Sequence, residues 1–275
     1  MVRKLKNWLE VARVIQYLKV REKREGGFSL TPELYPDIED TYYAIRTLRL
    51  LNRKANQRKT ENYLQNIDWS QVNSPKTIYM LAYLHIRLRQ PLKMSFLRKQ
   101  ESRSLRNNWT PAFAGVTNLE LLEVPLNLGY PPSLKALLCH DWTGSQTLDA
   151  MYFTDEIHKL LHKPVKPFDT LSSLKLHGQE NLQALRKKIS IFLNHGIGFD
   201  EQEIIQWIHS CQNGDGGFGF YPGTTSFMEN TYCGLDILLK LKSSPLEINS
   251  CKEYILNCQT KSGGFRRAPF EFSIY

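Results

Sequence analysis

Carboxylates stand at the start of two segments of this sequence, each at the same distance from a Gly-Gly-Phe turn. The first group is Asp37, Glu39 and Asp40, and the second is Glu229. At the start of a helix, a carboxylate caps backbone N–H groups and is favoured by the helix dipole. A carboxylic acid that donates a proton to carbon must instead be kept protonated and dry, which depends on burial and neighbouring groups. We therefore treat these four residues as candidate catalytic acids, with helix capping as the alternative.

The spacing around these acids repeats, so the elements that hold them are predicted to be repeats as well. A Thr follows the Phe by thirteen residues after the first turn, residues 26–28, and again after the second turn, residues 216–218. A third Gly-Gly-Phe turn, residues 263–265, follows the second by 47 residues. In the segments before these two turns, an aromatic residue, a Cys and a Gln also recur at a spacing of 47 residues. A period in this range predicts stacked supersecondary units, each too small to bury its own apolar face.

Apolar residues at helical spacing predict an all-α chain of helical hairpins with a repeat of about 47 residues. The first segment, Trp8 to Leu18, is a basic amphipathic helix that packs on one stripe or, alternatively, lies on a membrane surface. Gly26 and Gly27 are expected to end it, because a helix C-cap needs positive φ. The further predicted helices run over 38–51, 78–88, 148–161, 182–194 and 201–212, followed by one that starts at the acid of the second group.

The bulk composition is that of a globular protein with one domain covering residues 1–275. No apolar run is long enough to span a bilayer and no signal peptide is recognised, so the expected location is cytoplasmic. Five cysteines without a CxxC pair indicate reduced thiols. The net charge of +9 comes without an aromatic-basic motif, so no nucleic-acid partner is expected.

A Gly-Gly-Phe turn, a Pro-containing loop and an acidic-Thr-Tyr helix together resemble the repeat of the protein prenyltransferase β-subunit and squalene/terpene cyclase superfamily. The resemblance is strong over residues 16–51 and 201–275. It implies an α/α toroid of alternating inner and outer helices whose apolar centre holds an isoprenoid. The position thirteen residues after the Phe of the third turn, where the next long helix would have its Thr, lies past Tyr275, so the ring is expected to be incomplete.

The resemblance also implies roles for the acids. In the class II cyclases the middle acid of an Asp-x-Asp-Asp run is the proton donor, and residues 37–40 are similar with Glu39 in the middle. In the protein prenyltransferases an Asp-x-Cys pair and a later His bind zinc. Glu229 takes the Asp position, but Thr231 stands where the Cys would be. We therefore expect neither zinc nor another cofactor, and we read the nearby Cys233 as a core residue.

Substrate-binding residues follow from the same resemblance. Aromatic faces suit prenyl chains and carbocations, which makes Tyr42, Tyr43 and Tyr232 candidate lining residues, with simple core packing as the alternative. Arg266 and Arg267 follow the third turn, where the family places basic residues that bind diphosphate, with a solvated basic loop as the alternative. The implied partner is an isoprenoid diphosphate or another apolar small molecule. No α-subunit partner is expected, and peripheral membrane contact is left open.

Residues 94–117 fit neither the helical period nor the repeat. They resemble the peptide translated from an interspersed palindromic DNA element of bacterial genomes, which implies a bacterial origin and an inserted loop without a role in the fold. His158 and His162, at i, i+4 spacing, are a candidate ligand pair that more simply lies on the surface.

Two hypotheses of function remain. The first is a prenyltransferase-like or terpene-cyclase-like protein that binds an isoprenoid diphosphate and carries out transfer or cyclisation. The second is a non-catalytic toroid that binds a protein or lipid, or a truncated remnant of an enzyme.

Overall fold

The computed structural model describes residues 10–69, 72–89, 147–164, 168, 171–176 and 179–269. These residues form nine α-helices and one short 3₁₀ segment, and extended chain within them is limited to isolated bridges at the turns. The predicted all-α class is therefore confirmed. The predicted insertion at 94–117 lies outside the described residues.

Helices of two lengths alternate over much of the chain. The short helices have 9 to 11 residues: α1 (Val11–Arg21), α3 (Gln57–Gln65), α7 (Glu201–Ser210) and α9 (Ile248–Asn257). The long helices have 13 to 15 residues: α2 (Ile38–Leu50), α4 (Pro75–Arg89), α5 (Leu148–Leu160), α6 (Leu182–Asn194) and α8 (Met228–Lys240). The first turn joins α1 to α2 and the second joins α7 to α8, so each Gly-Gly-Phe turn leads from a short helix to a long one.

The chain divides into two compact units. Unit 1 contains the described residues up to Val14 and from Ser173 onwards, and its core is formed by α6, α7, α8 and α9. Unit 2 contains the described residues from Ile15 to Ser172, and its core is formed by α2, α3, α4 and α5. Within unit 2, α4 packs against both α2 and α5, and within unit 1, α8 packs against α6 and α7.

Helix α3 was not predicted, because only Thr60 and Leu64 of its nine residues are buried and the rest, apart from the partly buried Tyr63, are polar. Its N-terminus is nevertheless well defined, since the side chain of Asn56 accepts a hydrogen bond from the N–H of Lys59. It occupies the place of a short helix before α4. The repeat therefore continues through a segment that has no Gly-Gly-Phe turn.

Most long helices end in the same way. The second residue after α2, α5, α6 and α8 has a left-handed backbone with φ between 53° and 65°. The residues are Asn52, His162, Gly196 and Lys242. The next N–H bonds back to a carbonyl inside the helix, which satisfies a group that a helix end otherwise leaves open.

The glycines of the first turn were predicted to end α1, and that prediction is wrong. α1 ends at Arg21, and Gly26 and Gly27 have positive φ within a tight turn that begins at Lys23. The first glycine of each turn is needed for a second reason, which is close approach to a short helix. A Cβ at Gly216 would lie 2.1 Å from the backbone of Ser250 in α9.

The same approach occurs at the other two turns. A Cβ at Gly26 would lie 1.8 Å from the carbonyl oxygen of Lys59 in α3, and one at Gly263 would lie 2.1 Å from that of Arg13 in α1. Lys59, Arg13 and Ser250 are each the third residue of a short helix. The third turn thus packs against the start of α1 in the same way as the second turn packs against the start of α9.

Candidate functional site

A buried hydrogen bond explains the thirteen-residue spacing that the sequence repeats. The N–H of Phe28 donates to Oγ1 of Thr41 at 2.9 Å, and the N–H of Phe218 donates to Oγ1 of Thr231 at 3.0 Å. Both threonines are buried, and Thr231 also donates its hydroxyl proton to the carbonyl of Phe227. A buried N–H without an acceptor is costly, so the Thr closes the loop between turn and long helix.

The acids at the start of α2 serve different purposes. Asp37 is exposed and caps the helix, because its Oδ1 accepts a hydrogen bond from the N–H of Asp40 at 2.8 Å. Asp40 is half-buried, and partial burial, a hydrogen bond with Asp37 and repulsion by Asp37 raise its pKa to about 6. Asp40 can therefore hold or release a proton near neutral pH.

Glu39 is engaged by a cation. Both of its carboxylate oxygens accept hydrogen bonds from Nζ of Lys76, at 2.9 and 2.8 Å. Lys76 lies in the first turn of α4, so this ion pair links the starts of two long helices. Both side chains are at least two-fifths exposed, and an exposed pair of this kind contributes little to stability.

Aromatic rings from three long helices meet within unit 2. Tyr42 lies at their centre, with ring centroids 5.1 Å from Tyr43, 5.9 Å from Tyr79 and 5.0 Å from Tyr83. Phe153 lies 5.9 Å from Tyr79 and 5.0 Å from Tyr152. We call these six residues the tyrosine cluster: Tyr42, Tyr43, Tyr79, Tyr83, Tyr152 and Phe153. These distances are those of favourable edge-to-face and tilted ring pairs.

The tyrosine cluster is bordered by arginines. Nη1 of Arg46 donates to the hydroxyl of Tyr42 at 2.8 Å, and the guanidinium of Arg87 lies 5.4 Å from the ring centroid of Tyr83. Burial raises the pKa of Tyr42 to about 12 and lowers the pKa of Arg87. The cluster is thus apolar on its faces and cationic at its edge.

Sequence reasoning named Tyr42 and Tyr43 but missed the other members. The sequence did indicate that Tyr79, Tyr83 and Arg87 lie together, because they recur every four residues and so share one face of the predicted helix over 78–88. What the sequence did not show is that this face meets Tyr42. Tyr43 differs from the rest in being half exposed.

Unit 1 holds a different set of groups around Tyr232. The guanidinium of Arg186 in α6 lies 5.4 Å from the ring centroid of Tyr232 in α8. Asp236, one turn along α8, accepts hydrogen bonds from Nζ of Lys240 at 2.7 Å and from Nη1 of Arg186 at 3.3 Å. Burial raises the pKa of Asp236, but attraction to the two cations outweighs burial and lowers it overall.

The acid of the second repeat is not a helix cap. α8 has Phe227 at its N-cap position, without a capping side-chain hydrogen bond, and Glu229 lies in the first turn. Oε1 of Glu229 pairs with Nε of Arg267 at 3.3 Å, and both side chains are more than half exposed. Two residues predicted for separate roles, acid and diphosphate ligand, are therefore partners. Arg266 is exposed.

The four described cysteines are free, buried thiols. Burial raises the pKa of Cys211 and Cys258 to about 11 and that of Cys251 to about 12, and it also raises the pKa of Cys233. A thiol is nucleophilic only as its thiolate, so these cysteines are placed for packing rather than for catalysis.

The turns, the helix alternation and the sequence agree with a known family. The family model described as the prenyltransferase alpha-alpha toroid domain matches residues 1–82 and 186–267, which together are more than half of the chain. This chain belongs to the prenyltransferase alpha-alpha toroid family. No curated protein matches the sequence.

The zinc chemistry that some members of the toroid family use does not fit the residues present. Thr231, at the position of the missing Cys ligand, both accepts and donates a hydrogen bond in closing the second turn. Glu229, the other residue at a ligand position, is paired with Arg267. Among the described residues no group of three or more His, Cys, Asp or Glu side chains is arranged to hold a metal ion.

The toroid domain places its predicted site residues in both units. Asp37, Glu39, Asp40 and the two tyrosines that follow belong to unit 2, whereas Glu229, Tyr232, Arg266 and Arg267 belong to unit 1. His158 lies within α5, but His162 lies beyond its end with a left-handed backbone, so the two do not share a helix face. In the described parts of the chain, no helix combines the length and the apolar character needed to cross a membrane.

Proposed function

We propose that this toroid protein binds an isoprenoid diphosphate, with the prenyl chain against the tyrosine cluster, and uses it in prenyl transfer or cyclisation. The observation that supports the proposal most directly is the cluster itself, in a chain of the prenyltransferase toroid family. Aromatic faces attract both apolar chains and carbocations through dispersion and the ring quadrupole. Arg46, which bonds the hydroxyl of Tyr42, supplies positive charge at the edge of the cluster.

For a cyclisation, the proton donor that we propose is Asp40. Its pKa of about 6 leaves an appreciable protonated fraction at neutral pH, and its backbone N–H is held by Oδ1 of Asp37. Asp37 then acts as a positioning residue, and Glu39 as part of an ion pair with Lys76. Arg266, exposed after the third turn in unit 1, is kept as a proposed diphosphate ligand separate from the tyrosine cluster.

A non-catalytic scaffold is the second candidate function. The observation in its favour is that three of the four predicted acids have structural partners. Asp37 caps α2, Glu39 pairs with Lys76 and Glu229 pairs with Arg267. In this case a protein or lipid would bind the same units without any reaction. In both candidate functions we take the protein to act in the cytoplasm and without an α-subunit, and peripheral membrane contact belongs to the scaffold alternative.

Thermal melting with added ligands tests the proposal. A ligand that binds only the folded protein raises the melting midpoint in proportion to the logarithm of its concentration. We expect farnesyl or geranylgeranyl diphosphate to raise the midpoint, and farnesol to raise it less because it lacks the charges that meet the arginines. Tyr43→Ala should weaken the affinity by about 5- to 10-fold through the loss of one aromatic contact.

Tyr43 suits this test because it is half exposed, so its removal leaves the core of unit 2 intact. The matched control is Tyr35→Ala, since Tyr35 is 93% exposed and lies outside the cluster. A shift that Tyr35→Ala reduces as much as Tyr43→Ala would contradict binding at the tyrosine cluster. The absence of any shift in a cooperatively melting protein would favour the scaffold. Product formation that disappears in Asp40→Asn would support cyclisation.

A further inference from the structure

The described residues that follow the third turn lie against the start of α8. We call residues 265–269 the strap. At its beginning the strap is tied to the end of α9, because the N–H of Arg266 donates to the carbonyl of Cys258 at 2.8 Å. Phe265 also forms an isolated antiparallel bridge with Gln259.

The strap supplies a cap that α8 lacks. The carbonyl of Arg267 accepts a hydrogen bond from the N–H of Met228, the first residue of α8, at 2.8 Å. Phe227, at the N-cap position, has no side-chain group that makes a capping bond. The first N–H groups of a helix have no acceptor within the helix, so the strap stabilises this terminus.

The second turn makes the same contact, with one difference. The carbonyl of Phe220, two residues after the Phe of that turn, accepts from the N–H of Leu182, the first residue of α6, at 3.3 Å. α6 has a cap of its own, since Asn181 accepts from the N–H of Ala184 at 2.8 Å. The start of α8 therefore relies on the following turn in a way that α6 does not.

The side chain of Arg267 fastens the strap. Its Nε lies 3.3 Å from Oε1 of Glu229, and its guanidinium lies 4.1 Å from the ring centroid of Phe227. The Arg267 and Glu229 side chains are 61% and 54% exposed. An exposed ion pair and an exposed cation–π contact are each weak and the ion pair is screened by salt, so this latch opens readily.

We infer that the strap is a displaceable cover for the start of α8, with Arg267 as its latch. When the strap is closed, it caps the first N–H of α8 and neutralises Glu229. When it is open, the N–H loses this acceptor, and the carboxylate of Glu229, already 54% exposed, loses its cation. The inference goes beyond the proposed function, which gives Glu229 no part in binding or catalysis.

Hydrogen exchange of the Met228 amide, at single-residue resolution in the ligand-free protein, tests the strap. Arg267→Ala should speed this exchange by about 3- to 20-fold, the combined effect of one exposed ion pair and one cation–π contact. Glu229→Gln, which removes only the ion pair, should give a smaller increase. Raising the salt concentration should speed exchange in the unaltered protein but not in Arg267→Ala.

The matched control is Arg266→Ala, because Arg266 is the neighbouring exposed arginine and its backbone N–H donates to the carbonyl of Cys258 at the end of α9, a bond that the substitution keeps. Equal exchange in Arg266→Ala and Arg267→Ala, or no change in Arg267→Ala, would overturn the inference. Because no ligand is added, this result is independent of the melting experiment. A failed strap and a failed isoprenoid site are therefore distinguishable.

Discussion

Replacing Asp236 by Asn isolates the role of the buried charges between α6 and α8. The carboxylate of Asp236 is 2% exposed, and it accepts hydrogen bonds from Lys240 and Arg186, whose side chains are 15% and 14% exposed. Lys240 also donates to the hydroxyl of Ser190 at 2.7 Å, so the network joins both helices. Asp236→Asn keeps the shape of the side chain and removes the charge that both cations share.

The expected cost is large because the two cations stay where they are. Removing one partner of a buried ion pair typically destabilises a protein by about 3 to 5 kcal/mol. The amide oxygen of Asn can still accept one hydrogen bond, so we expect about 3 kcal/mol for Asp236→Asn. The exposed pair of Glu39 and Lys76 provides the matched control, and Glu39→Gln should cost less than about 1 kcal/mol.

Urea denaturation followed by circular dichroism, with hydrogen exchange of α6 and α8, measures both changes. The pH dependence adds a second check. Because the pKa of Asp236 is lowered in the folded protein, its contribution is present above the unfolded value of about 4 and is lost as the pH falls below it. Asp236→Asn should therefore flatten the acid limb of the stability curve. A loss no larger than that of Glu39→Gln, or an unchanged acid limb, would refute the reasoning.

Three further predictions concern the turns and the start of α2. Asp40 has a raised pKa in the folded protein, so its contribution to stability is full below about pH 4 and is lost as the pH rises through about 6. Thermal melting between pH 4 and pH 7 should show this fall in stability, and Asp40→Asn should remove it. Thr231→Ala should destabilise the protein by about 1 to 3 kcal/mol in urea denaturation, because the N–H of Phe218 loses its acceptor, whereas Thr231→Ser should recover most of the loss. Gly216→Ala should lower the free energy of unfolding by more than about 3 kcal/mol, since φ is +86° and the new Cβ would overlap the backbone of Ser250. Gly214→Ala is the control and should lower it much less, because no atom lies within 4 Å of a Cβ at Gly214.

The sequence was most informative where the spacing of residue types by itself determines the local structure. The spacing from Phe to Thr predicted a loop of fixed length, and the family resemblance was confirmed by the family match. The sequence did not show that the Thr hydroxyl closes that loop, since Thr41 was read as part of a helix start and Thr231 also as standing where a zinc ligand would be. A hydrogen bond between residues thirteen apart depends on how the loop folds back, and a pattern of residue types does not contain that.

Other features could not be read because they depend on which elements meet. Tyr79 and Tyr83 share a helix face in the sequence, but their contact with Tyr42 requires α2 and α4 to pack together. Helix capping was the alternative role given to Glu229, as it was to Asp37. Its role differs because α8 begins one residue before it and because Arg267, distant in sequence, lies within reach. Helix α3 was missed because so little of it is apolar.

The contact between the third turn and α1 has a consequence for how the chain is made. The first and second turns each meet a short helix that is synthesised after them, in α3 and α9. The third turn instead meets the start of α1, and the N–H of Glu10 donates to Oε1 of Gln259 across 249 residues of sequence. On the ribosome, the start of α1 must therefore wait until residues 259–263 have been synthesised before these contacts can form. Unit 1 contains both ends of this contact, so this part of its folding depends on the synthesis of those residues.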